Sequence, residues 1–223
     1  MAALLLHCTE IKPPAGRQNH REEHALARAA IKNDILSTAR LLFNKEGYDH
    51  VTMRQIAQEL HIGVGNLTYH FAHKQDIVNA LMDESFTLVR PTEAVESLAQ
   101  VDRLLSQMLD TLRQNTFFFL DSGFDLDPRH QQHNGYLRAC LLDGLYTLAN
   151  RGIFLPSFTP ERQQQILDLL LMTHLTWLRL TVRGNGRMTK EALLDGHWAV
   201  LEPYLSPLGI AELNKMKGRP PRA

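Results

Sequence analysis

The residues with the clearest chemical pattern lie at positions 61–74, where the chain reads HIGVGNLTYHFAHK. Apart from three apolar residues, Ile62, Leu67 and Phe71, their side chains are small or hydrogen-bonding, and none is acidic. Duplex DNA presents phosphate oxygens and base edges that bind amides, hydroxyls and ammonium groups, and its charge repels carboxylates. The stretch therefore predicts a contact with nucleic acid.

Two short helices joined by a tight turn are predicted to position these side chains. In the segment VTMRQI at 51–56, Thr52 can cap a helix and Gln55 can complete a capping box, with flanking apolar residues as a hydrophobic staple. Residues 61–63 then form the turn, and a second helix covers residues 64–71. Helices connected in this way form a helix-turn-helix, whose second helix enters the major groove of DNA.

A longer helix is predicted upstream, from about Ala25 to Glu46. Apolar residues recur along one of its faces, and Gly47 supplies the left-handed residue that commonly ends a helix. Tyr48 can then pack back on Phe43. We expect this helix to complete a three-helix N-terminal domain.

Together these segments resemble the DNA-binding region of TetR-family transcriptional regulators. The resemblance rests on TMRQIA at 52–57, on IGVGNLTYHF at 62–71 followed by Lys74, and on the upstream helix that ends at Gly47. It covers about residues 31–78, and the rest of the chain is similar to the family only as an all-helical bundle of suitable length. The resemblance implies a DNA-binding transcriptional regulator.

The resemblance also implies roles for individual residues. Thr52 and Tyr69 resemble phosphate contacts, and Lys74 resembles the phosphate contact at the start of the fourth helix. Arg54 and the segment 64–66 resemble base contacts, where an asparagine can bind adenine through two hydrogen bonds. The predicted DNA-binding residues are Thr52, Arg54, Val64, Gly65, Asn66, Thr68, Tyr69, His70 and Lys74.

Three positions depart from the family pattern. His61 stands where the family usually has glycine, and histidine tolerates the left-handed backbone region better than most residues. Gly63 stands where serine or threonine is usual, and glycine is acceptable at a helix N-cap. Thr68 replaces an aromatic residue of the family motif, which leaves a smaller side chain able to contact a base such as a thymine methyl.

Beyond this region the sequence predicts further helices and almost no strands. The predicted fold class is all-α, with an N-terminal three-helix helix-turn-helix domain followed by a larger helical bundle that dimerises. The further helices are predicted at 74–90, 93–119, 136–149, 160–182 and 189–204. The predicted domains are a disordered arm at 1–24, the helix-turn-helix domain at 25–73, an effector-binding and dimerisation domain at 74–206, and a basic tail at 207–223.

Residues 165–182 read QILDLLLMTHLTWLRLTV and are apolar around nearly the whole circumference of a helix. Such a helix is buried on both sides, which pairing with a second copy of the chain would explain. The family resemblance implies the same pairing, through the last two helices of each chain, and a two-fold dimer binds a palindromic site. The alternative is a central helix buried within one chain. The predicted dimer interface comprises Leu170, Leu171, Leu178, Leu194, Trp198 and Leu201.

A small-molecule pocket is predicted within the larger bundle. The three rings of Phe117–Phe119 cannot all face one core, and polar residues interrupt the apolar helix at 165–182. Ligand pockets combine mostly apolar walls with a few polar groups, although each of these residues could equally be structural. The predicted ligand-binding residues are Phe118, Tyr136, Tyr146, His174 and Trp177. His130 and His133 have metal-like spacing, but we expect both to be solvated at the start of a helix.

The remaining features limit the classes of function. The chain has 223 residues and a formal net charge of zero, so its overall charge indicates no polyanionic partner. Its two cysteines form no disulfide framework, which suits a reducing cytoplasm, and no apolar run approaches the roughly 20 residues of a membrane span. The sequence contains no metal, cofactor or catalytic motif, so it predicts neither an enzyme nor a cofactor.

These inferences predict a homodimeric, one-component transcriptional regulator that acts as a repressor. An unidentified small molecule would bind the larger domain, move the fourth helix and release the protein from a palindromic operator in double-stranded DNA. The alternative is a helical ligand- or protein-binding module that keeps the helix-turn-helix fold without sequence-specific DNA binding. Affinity for duplex DNA that falls steeply with salt would distinguish the two.

Overall fold

The computed structural model describes residues 15–120, 127–182, 184 and 188–220, with side chains from residue 23 onward. This part of the chain is built from α-helices, with one isolated β-bridge between Phe154 and Leu205, so the predicted all-α fold class is confirmed. The helices are α1 (Ala15–Glu46), α2 (Met53–Glu59), α3 (Val64–His70), α4 (Lys74–Val89), α5 (Leu98–Gln114), α6 (Phe117–Leu120), α7 (Pro128–Asn150), α8 (Pro160–Val182), α9 (Lys190–Leu201) and α10 (Pro207–Lys217).

The N-terminal domain packs α1 to α4 around one small core. Ile35, Ala39 and Phe43 of α1 are fully buried in it. Ile56 of α2 and Leu67 of α3 are fully buried in the same core. Because α2 and α3 have only seven residues each, they would not be stable as isolated helices in water, and this burial holds them in place.

The predicted end of α1 is confirmed. Gly47 adopts a left-handed φ of 83°, and its amide donates to the carbonyl of Phe43 at 2.9 Å. The ring of Tyr48 packs edge-on against Phe43, with ring centroids 5.5 Å apart. A residue with a Cβ would be strained at this φ, which accounts for the glycine.

The start of α1 differs from the prediction. The helix begins at Ala15, so residues 15–24 are helical instead of forming part of a disordered arm. Residues 1–14 of that predicted arm lie outside the described residues. The physical reason is that alanine, arginine, glutamine and glutamate favour a helix even where no apolar face marks one.

The helix predicted at 93–119 is two helices. α5 ends at Gln114, with Asn115 as its C-cap, and the short helix α6 follows it. The side-chain oxygen of Asn44 in α1 accepts hydrogen bonds from the hydroxyl of Thr116 at 2.9 Å and the amide of Phe117 at 3.2 Å. These contacts with another helix fix the break, and no periodicity within residues 93–119 could have shown them.

The larger domain is a bundle of α5, α7, α8, α9 and α10 around a second core. Leu109 of α5, Leu148 of α7 and Leu178 of α8 are fully buried there. α5 packs on α4 as well as on the other bundle helices, so it connects the bundle to the N-terminal domain. None of the described helices is both long enough and apolar enough to cross a membrane.

The ends of two bundle helices test further predictions. α7 begins at Pro128, after Asp127 at its N-cap, so the helix start predicted just before His130 is confirmed, and it is continuous with the helix predicted at 136–149. The basic tail predicted at 207–223 is largely the helix α10, which starts after the N-cap Ser206 and ends at Lys217, before the C-cap Gly218 with its left-handed φ of 64°. Basic side chains suggested a solvated segment, but the apolar side of α10 packs into the bundle core.

Candidate nucleic-acid interface and ligand cavity

The turn between α2 and α3 has the local structure that the sequence predicts. Thr52 caps α2 by accepting the amide of Gln55, and the Gln55 side chain accepts the amide of Thr52 at 2.8 Å in return. His61 adopts a left-handed φ of 54°, and Gly63 precedes α3 in an extended conformation. The capping box, the left-handed histidine and the glycine N-cap are therefore confirmed.

The helix α3 exposes its polar side chains while Leu67 anchors it in the core. Tyr69 is 66% exposed and Val64 is 43% exposed, whereas Leu67 is fully buried. Asn66 and Thr68 are also exposed. No residue of α3 is acidic, so the structure presents an outer face of small and hydrogen-bonding groups on which a polyanion can lie.

Two predicted contact residues use their hydroxyl groups within the domain. The hydroxyl of Thr68 donates to the carbonyl of Gly65 at 3.1 Å, so its methyl group and the lone pairs of its oxygen are left for an outside contact. The hydroxyl of Thr52 donates to the side chain of Gln55 at 2.9 Å. A Cβ added at Gly65 would meet nothing within 4 Å, so the surface of α3 is open at this position.

Lys74, at the start of α4, ties the helix-turn-helix to the end of α1. Its Nζ donates to the backbone carbonyls of Tyr48 at 2.7 Å and Val51 at 2.8 Å, and it lies 3.9 Å from the centre of the Tyr48 ring. Burial lowers the pKa of Lys74 from its ordinary value. An ammonium group has three N–H donors, so one remains for a phosphate. Of the other predicted contacts, Arg54 is exposed and His70 is half-buried.

A cavity of about 430 Å³ lies between α4, α5, α6, α7 and α8. Its wall is mostly apolar and includes Met82 and Phe86 of α4, Met108 of α5, Phe118 of α6 and Leu171 of α8. Pockets that bind small molecules typically measure roughly 300–1,000 Å³ and are lined in this way. The cavity is therefore large enough for a small organic ligand.

His174 of α8 brings an imidazole to the cavity wall. It is 2% exposed, and neither ring nitrogen has a hydrogen-bond partner among the described residues. Burial, and then the neighbouring His197, lower the pKa of His174 to about 3, while burial lowers the pKa of His197 to about 4. Their ring centroids are 5.0 Å apart. Both rings are neutral at pH 7, so His174 offers a ligand one donor and one acceptor.

Asn115 brings a second polar group to the same wall. Its Nδ2 donates to the carbonyl of Thr111 at 3.1 Å, and its buried Oδ1 has no partner within the described chain. Asp168 also lies on the wall, but Arg138 binds its two oxygens at 2.6 and 3.0 Å. Those hydrogen bonds lower the pKa of Asp168. The groups that remain for a ligand are therefore neutral.

Two of the five predicted ligand-binding residues, Phe118 and His174, lie on this wall. The other three do not line this cavity, because their contacts hold them elsewhere. Tyr136 packs against α4, the hydroxyl of Tyr146 accepts a hydrogen bond from α8, and the indole of Trp177 donates to the backbone just before α9.

Several wall residues were not assigned to the cavity from the sequence. His133 stacks on Phe86 with ring centroids 3.9 Å apart, and the buried His130 meets Phe119 edge-on at 5.1 Å. The prediction that both histidines are solvated is therefore wrong, because α4 and α6 pack over the start of α7. No group of three or more potential metal ligands occurs among the described residues.

The helix α6 belongs to both regions of the molecule. Phe117 packs against Phe43 of α1 with ring centroids 5.2 Å apart. Phe118 lies in the same N-terminal core and also on the cavity wall. The side chain of Asn44 in α1 donates to the carbonyl of Gln114 at 2.8 Å, just before α6. Phe118 is thus a direct physical link between the cavity and the helix-turn-helix domain.

Most residues predicted for the dimer interface lie inside the core of their own chain. Five of the six predicted residues are only 0% to 6% exposed, namely Leu170, Leu178, Leu194, Trp198 and Leu201. The sixth, Leu171, is half-buried against the same core. A side chain that its own chain covers cannot face a partner, so the structure corrects the five buried assignments, whereas Leu171 keeps part of its surface exposed. The exposed apolar residues of α8 are instead Leu169, Met172, Leu175, Leu180 and Val182.

The outer face of α8 adjoins an outer face of α9. The hydroxyl of Thr173 on α8 lies 2.9 Å from Nε2 of His197 on α9, which joins the two helices. The exposed residues of α9 beside this contact are small, namely Ala192, Gly196, Ala199 and Val200. Exposed apolar side chains along one helix, as on α8, commonly mark an interaction site.

Comparison with known protein families identifies the N-terminal domain. Residues 35–81 match the family described as bacterial regulatory proteins, tetR family. The matched range contains α2, α3 and the adjoining parts of α1 and α4, which carry the predicted DNA-binding residues.

Individual proteins similar to this chain have regulatory names. The HTH-type transcriptional regulator UidR of Escherichia coli (strain K12) is 30% identical over 77 residues, or 34% of this chain and 39% of that protein, so the match spans about two fifths of this curated relative. A TetR-family transcriptional regulator from Marinobacter aquaeolei VT8 superimposes with a TM-score of 0.65 and 27% identity, covering 85% of this chain and 98% of that one. The ketosteroid transcriptional regulator KstR2 of Mycobacterium tuberculosis has the same fold, with a TM-score of 0.59 and 21% identity over 78% of this chain and 95% of its own.

Proposed function

Because the chain belongs to the TetR family of transcriptional regulators, we propose that it is a homodimeric repressor that a small molecule releases from a palindromic operator. The observation that carries this proposal is the position of α6. Phe118 lies on the cavity wall and in the core of the helix-turn-helix domain, so a ligand on one side of this ring can move the helices on its other side.

We assign recognition of DNA sequence to the exposed face of α3. Asn66 contacts a base, for which adenine is the best partner, and Val64 and Gly65 allow close approach in the major groove. Tyr69 and His70 contact phosphates, which fix the position of the helix without specifying sequence. The exposure of this face and its lack of carboxylates support the assignment.

Four residues around α3 complete the proposed interface. Arg54 of α2 contacts a base, and the methyl group of Thr68 packs on a thymine methyl. Thr52 and Lys74 contact the DNA backbone, Thr52 by turning its hydroxyl from Gln55 to a phosphate, and Lys74 through the one N–H donor that its two carbonyl contacts leave over. Lys74 therefore has two functions, since it also fixes the start of α4 against the end of α1.

The proposed dimer uses the exposed faces of α8 and α9. Leu169, Met172 and Leu180 leave an apolar stripe uncovered on α8, beside the small residues of α9. Two copies joined through these faces are related by a two-fold axis, so their recognition helices bind half-sites about one helical turn (34–36 Å), or a multiple of it, apart.

The proposed effector is a mostly apolar, neutral molecule with a hydrogen-bonding group. The apolar wall favours such a molecule, and the neutral His174 and the Oδ1 of Asn115 can bind its polar group. Release of DNA requires that the ligand prefer a dimer geometry in which the recognition helices no longer match the two half-sites. α4 and α6, which both line the cavity, are the helices through which it acts.

The proposed function is tested by DNA binding. Duplexes selected by the purified protein from random-sequence DNA should carry a palindrome, and the affinity should fall by about 10³–10⁵ between 50 and 200 mM salt if 6–10 phosphates are contacted. Negligible binding to every duplex would contradict the proposal and favour a protein-binding module with the same fold.

The dimer interface is tested by sedimentation of variants. Met172→Glu places a charge in the proposed interface and should give monomers at concentrations where the wild type is dimeric. Leu26→Glu is the matched control, because Leu26 is equally exposed but lies on α1. A Met172→Glu variant that sediments as a stable dimer would show that the interface lies elsewhere.

A further inference from the structure

We infer that the N-terminal part of α1 is a second DNA contact, which binds the phosphate backbone that flanks the half-site of α3. The inference rests on the proposed function and extends it to residues 23–32. These residues precede the region that matches the TetR family, which begins at residue 35.

This part of α1 extends well beyond the core that it serves. Residues 23–30 are all exposed, including Leu26 at 70%, and from residue 23 onward the first buried side chain of the helix is Ile35. A helical segment without a packed apolar face gains little stability from the rest of the protein. Packing within the described chain therefore does not account for the extension.

The extension carries its basic groups on one face. With about 100° of rotation per residue, His24 and Lys32 lie within about 40° of Arg28 around the helix. The acidic residues Glu23 and Asp34 lie on the opposite side of it by the same count. The segment therefore has one face suited to an anion although its net charge is small.

This basic face meets the recognition helix α3. The guanidinium carbon of Arg28 lies 4.8 Å from the centre of the Tyr69 ring, within the range of a cation–π interaction. The groove between the two helices is lined by the polar or charged residues His24, Arg28, Lys32, Asn66, Tyr69 and His70, together with three alanines and the apolar Ile31 of α1. Among the described residues, no carboxylate lines this groove.

The groove indicates DNA as the occupant because it is continuous with the proposed DNA-binding face. Asn66, Tyr69 and His70 belong both to the groove and to the predicted contacts of α3. A phosphate bound by Tyr69 would therefore lie about one side chain away from Arg28. Guanidinium and ammonium groups bind phosphate through charge-assisted hydrogen bonds, so Arg28 and Lys32 can hold the next phosphates along the strand.

The test is a salt titration of DNA binding by the full-length protein. The duplex is the sequence that the wild type selects from random DNA, extended by about one helical turn on each side. Removing two phosphate contacts with Arg28→Ala/Lys32→Ala should reduce the slope of log affinity against log salt by about 1.8, because each phosphate contributes about 0.9. Hydroxyl-radical protection should shrink at the flanks, while discrimination between bases stays the same.

The matched control is Lys215→Ala/Arg219→Ala, which removes two exposed positive charges near the end of α10. This control should leave the salt slope unchanged, and circular dichroism should show that both double variants are folded. An unchanged slope for Arg28→Ala/Lys32→Ala would overturn the inference, even with weaker binding, because Arg28 would then only order the Tyr69 ring.

Two further outcomes would also overturn it. Binding of polyglutamate with the same salt slope as DNA would show an unspecific anion site. If the wild type binds no duplex at all, the proposed function itself fails, and the inference fails with it. If the wild type binds DNA but Arg28→Ala/Lys32→Ala has the same salt slope, only the inference fails and the proposed function stands. The two failures are therefore distinguishable.

Discussion

In the helix-turn-helix domain the polar groups around the turn are paired, whereas the bundle encloses a cavity in which imidazole and amide atoms lack partners among the described residues. Thr52 and Gln55 cap α2 reciprocally, and the Lys74 ammonium binds two carbonyl oxygens. His174 and Asn115 instead bring buried polar atoms to a cavity wall. The comparison indicates that the proposed DNA-binding surface is formed before DNA binds, while the cavity wall has polar groups that the proposed ligand can bind.

The difference has an energetic consequence. An unpartnered buried polar group costs about 1–3 kcal/mol, and a ligand that bonds to it removes that cost on binding. A recognition surface needs the opposite property, because its side chains must be held in place by packing and by hydrogen bonds from below. The two regions should therefore respond differently to substitution and to pH.

The largest expected effect is on the packing of the recognition helix. Leu67→Ala removes the fully buried side chain that anchors α3, and truncation of this kind costs about 2–5 kcal/mol of the free energy of unfolding. Urea denaturation followed by circular dichroism measures this cost. Leu88→Ala is the control, because Leu88 is exposed on α4 and its truncation should cost less than about 0.5 kcal/mol. Equal costs for the two variants would contradict the view that α3 is held rigidly.

The second prediction concerns the loss of folding stability at acid pH that the two buried histidines of the bundle should cause. His174 and His197 have pKa values of about 3 and about 4 in the folded chain, below the ordinary value of 6.5. Between the folded and the ordinary pKa values, the histidines of the unfolded chain bind protons that those of the folded chain do not. The free energy of unfolding therefore falls as the pH falls through this range. From pH 6.5 to pH 5 the loss is about 2 kcal/mol for each of the two histidines.

Urea denaturation at pH 7 and pH 5 measures this loss. His174→Leu should reduce the difference between the two pH values, and it should raise stability at pH 7 because an apolar side chain needs no partner. Asp102 opposes the effect of burial on the pKa of His197, so His197 should account for the part that remains. The same stability of the wild type at both pH values would show that these imidazoles are solvated.

The third prediction separates the two kinds of contact assigned to α3. Asn66→Ala should cost about 1–3 kcal/mol of binding free energy at one base pair and relax discrimination there. Tyr69→Ala should weaken binding to all sequences alike, because a phosphate contact carries no base information. Anisotropy titrations on the selected duplex and its single-base variants measure both effects. If neither variant changes the affinity, α3 is not the recognition helix.

The parts of the fold that sequence analysis predicted correctly depend on near neighbours in the chain. The capping box at Thr52, the left-handed Gly47 and the start of α9 at about Thr189 are each set by residues within one helical turn. α10 has local start and end residues of the same kind, but its basic composition outweighed them in the prediction. Capping and turn residues near a helix end were therefore sufficient to predict that end wherever the prediction relied on them.

The cavity and the proposed dimer face could not be derived in the same way. Five helices contribute to the cavity wall, and Asn115 has no sequence feature that marks it. The apolar circumference of α8 predicted burial on both sides, but it could not show which side faces the chain's own core. Leu178 is fully buried there, whereas Leu169 and Met172 are left exposed. The assignment needs the crossing angles of the helices, which side-chain periodicity does not contain.

The smallest expected effect tests how the two regions communicate. Asn44→Ala removes hydrogen bonds between α1 and the segment at α6, at a cost of about 1 kcal/mol in stability. The affinity of the free protein for DNA should change little, because Asn44 lies outside α2 and α3. The fold-change in DNA affinity that a releasing small molecule causes should become smaller.

Arg40→Gln is the matched control for Asn44→Ala. Arg40 joins α1 to α4 through an ion pair with Glu84 at 2.8 Å, so the substitution does not remove the hydrogen bonds between α1 and the segment at α6. Loss of ligand response in the Arg40 variant but not in the Asn44 variant would show that α4, without α6, transmits the signal.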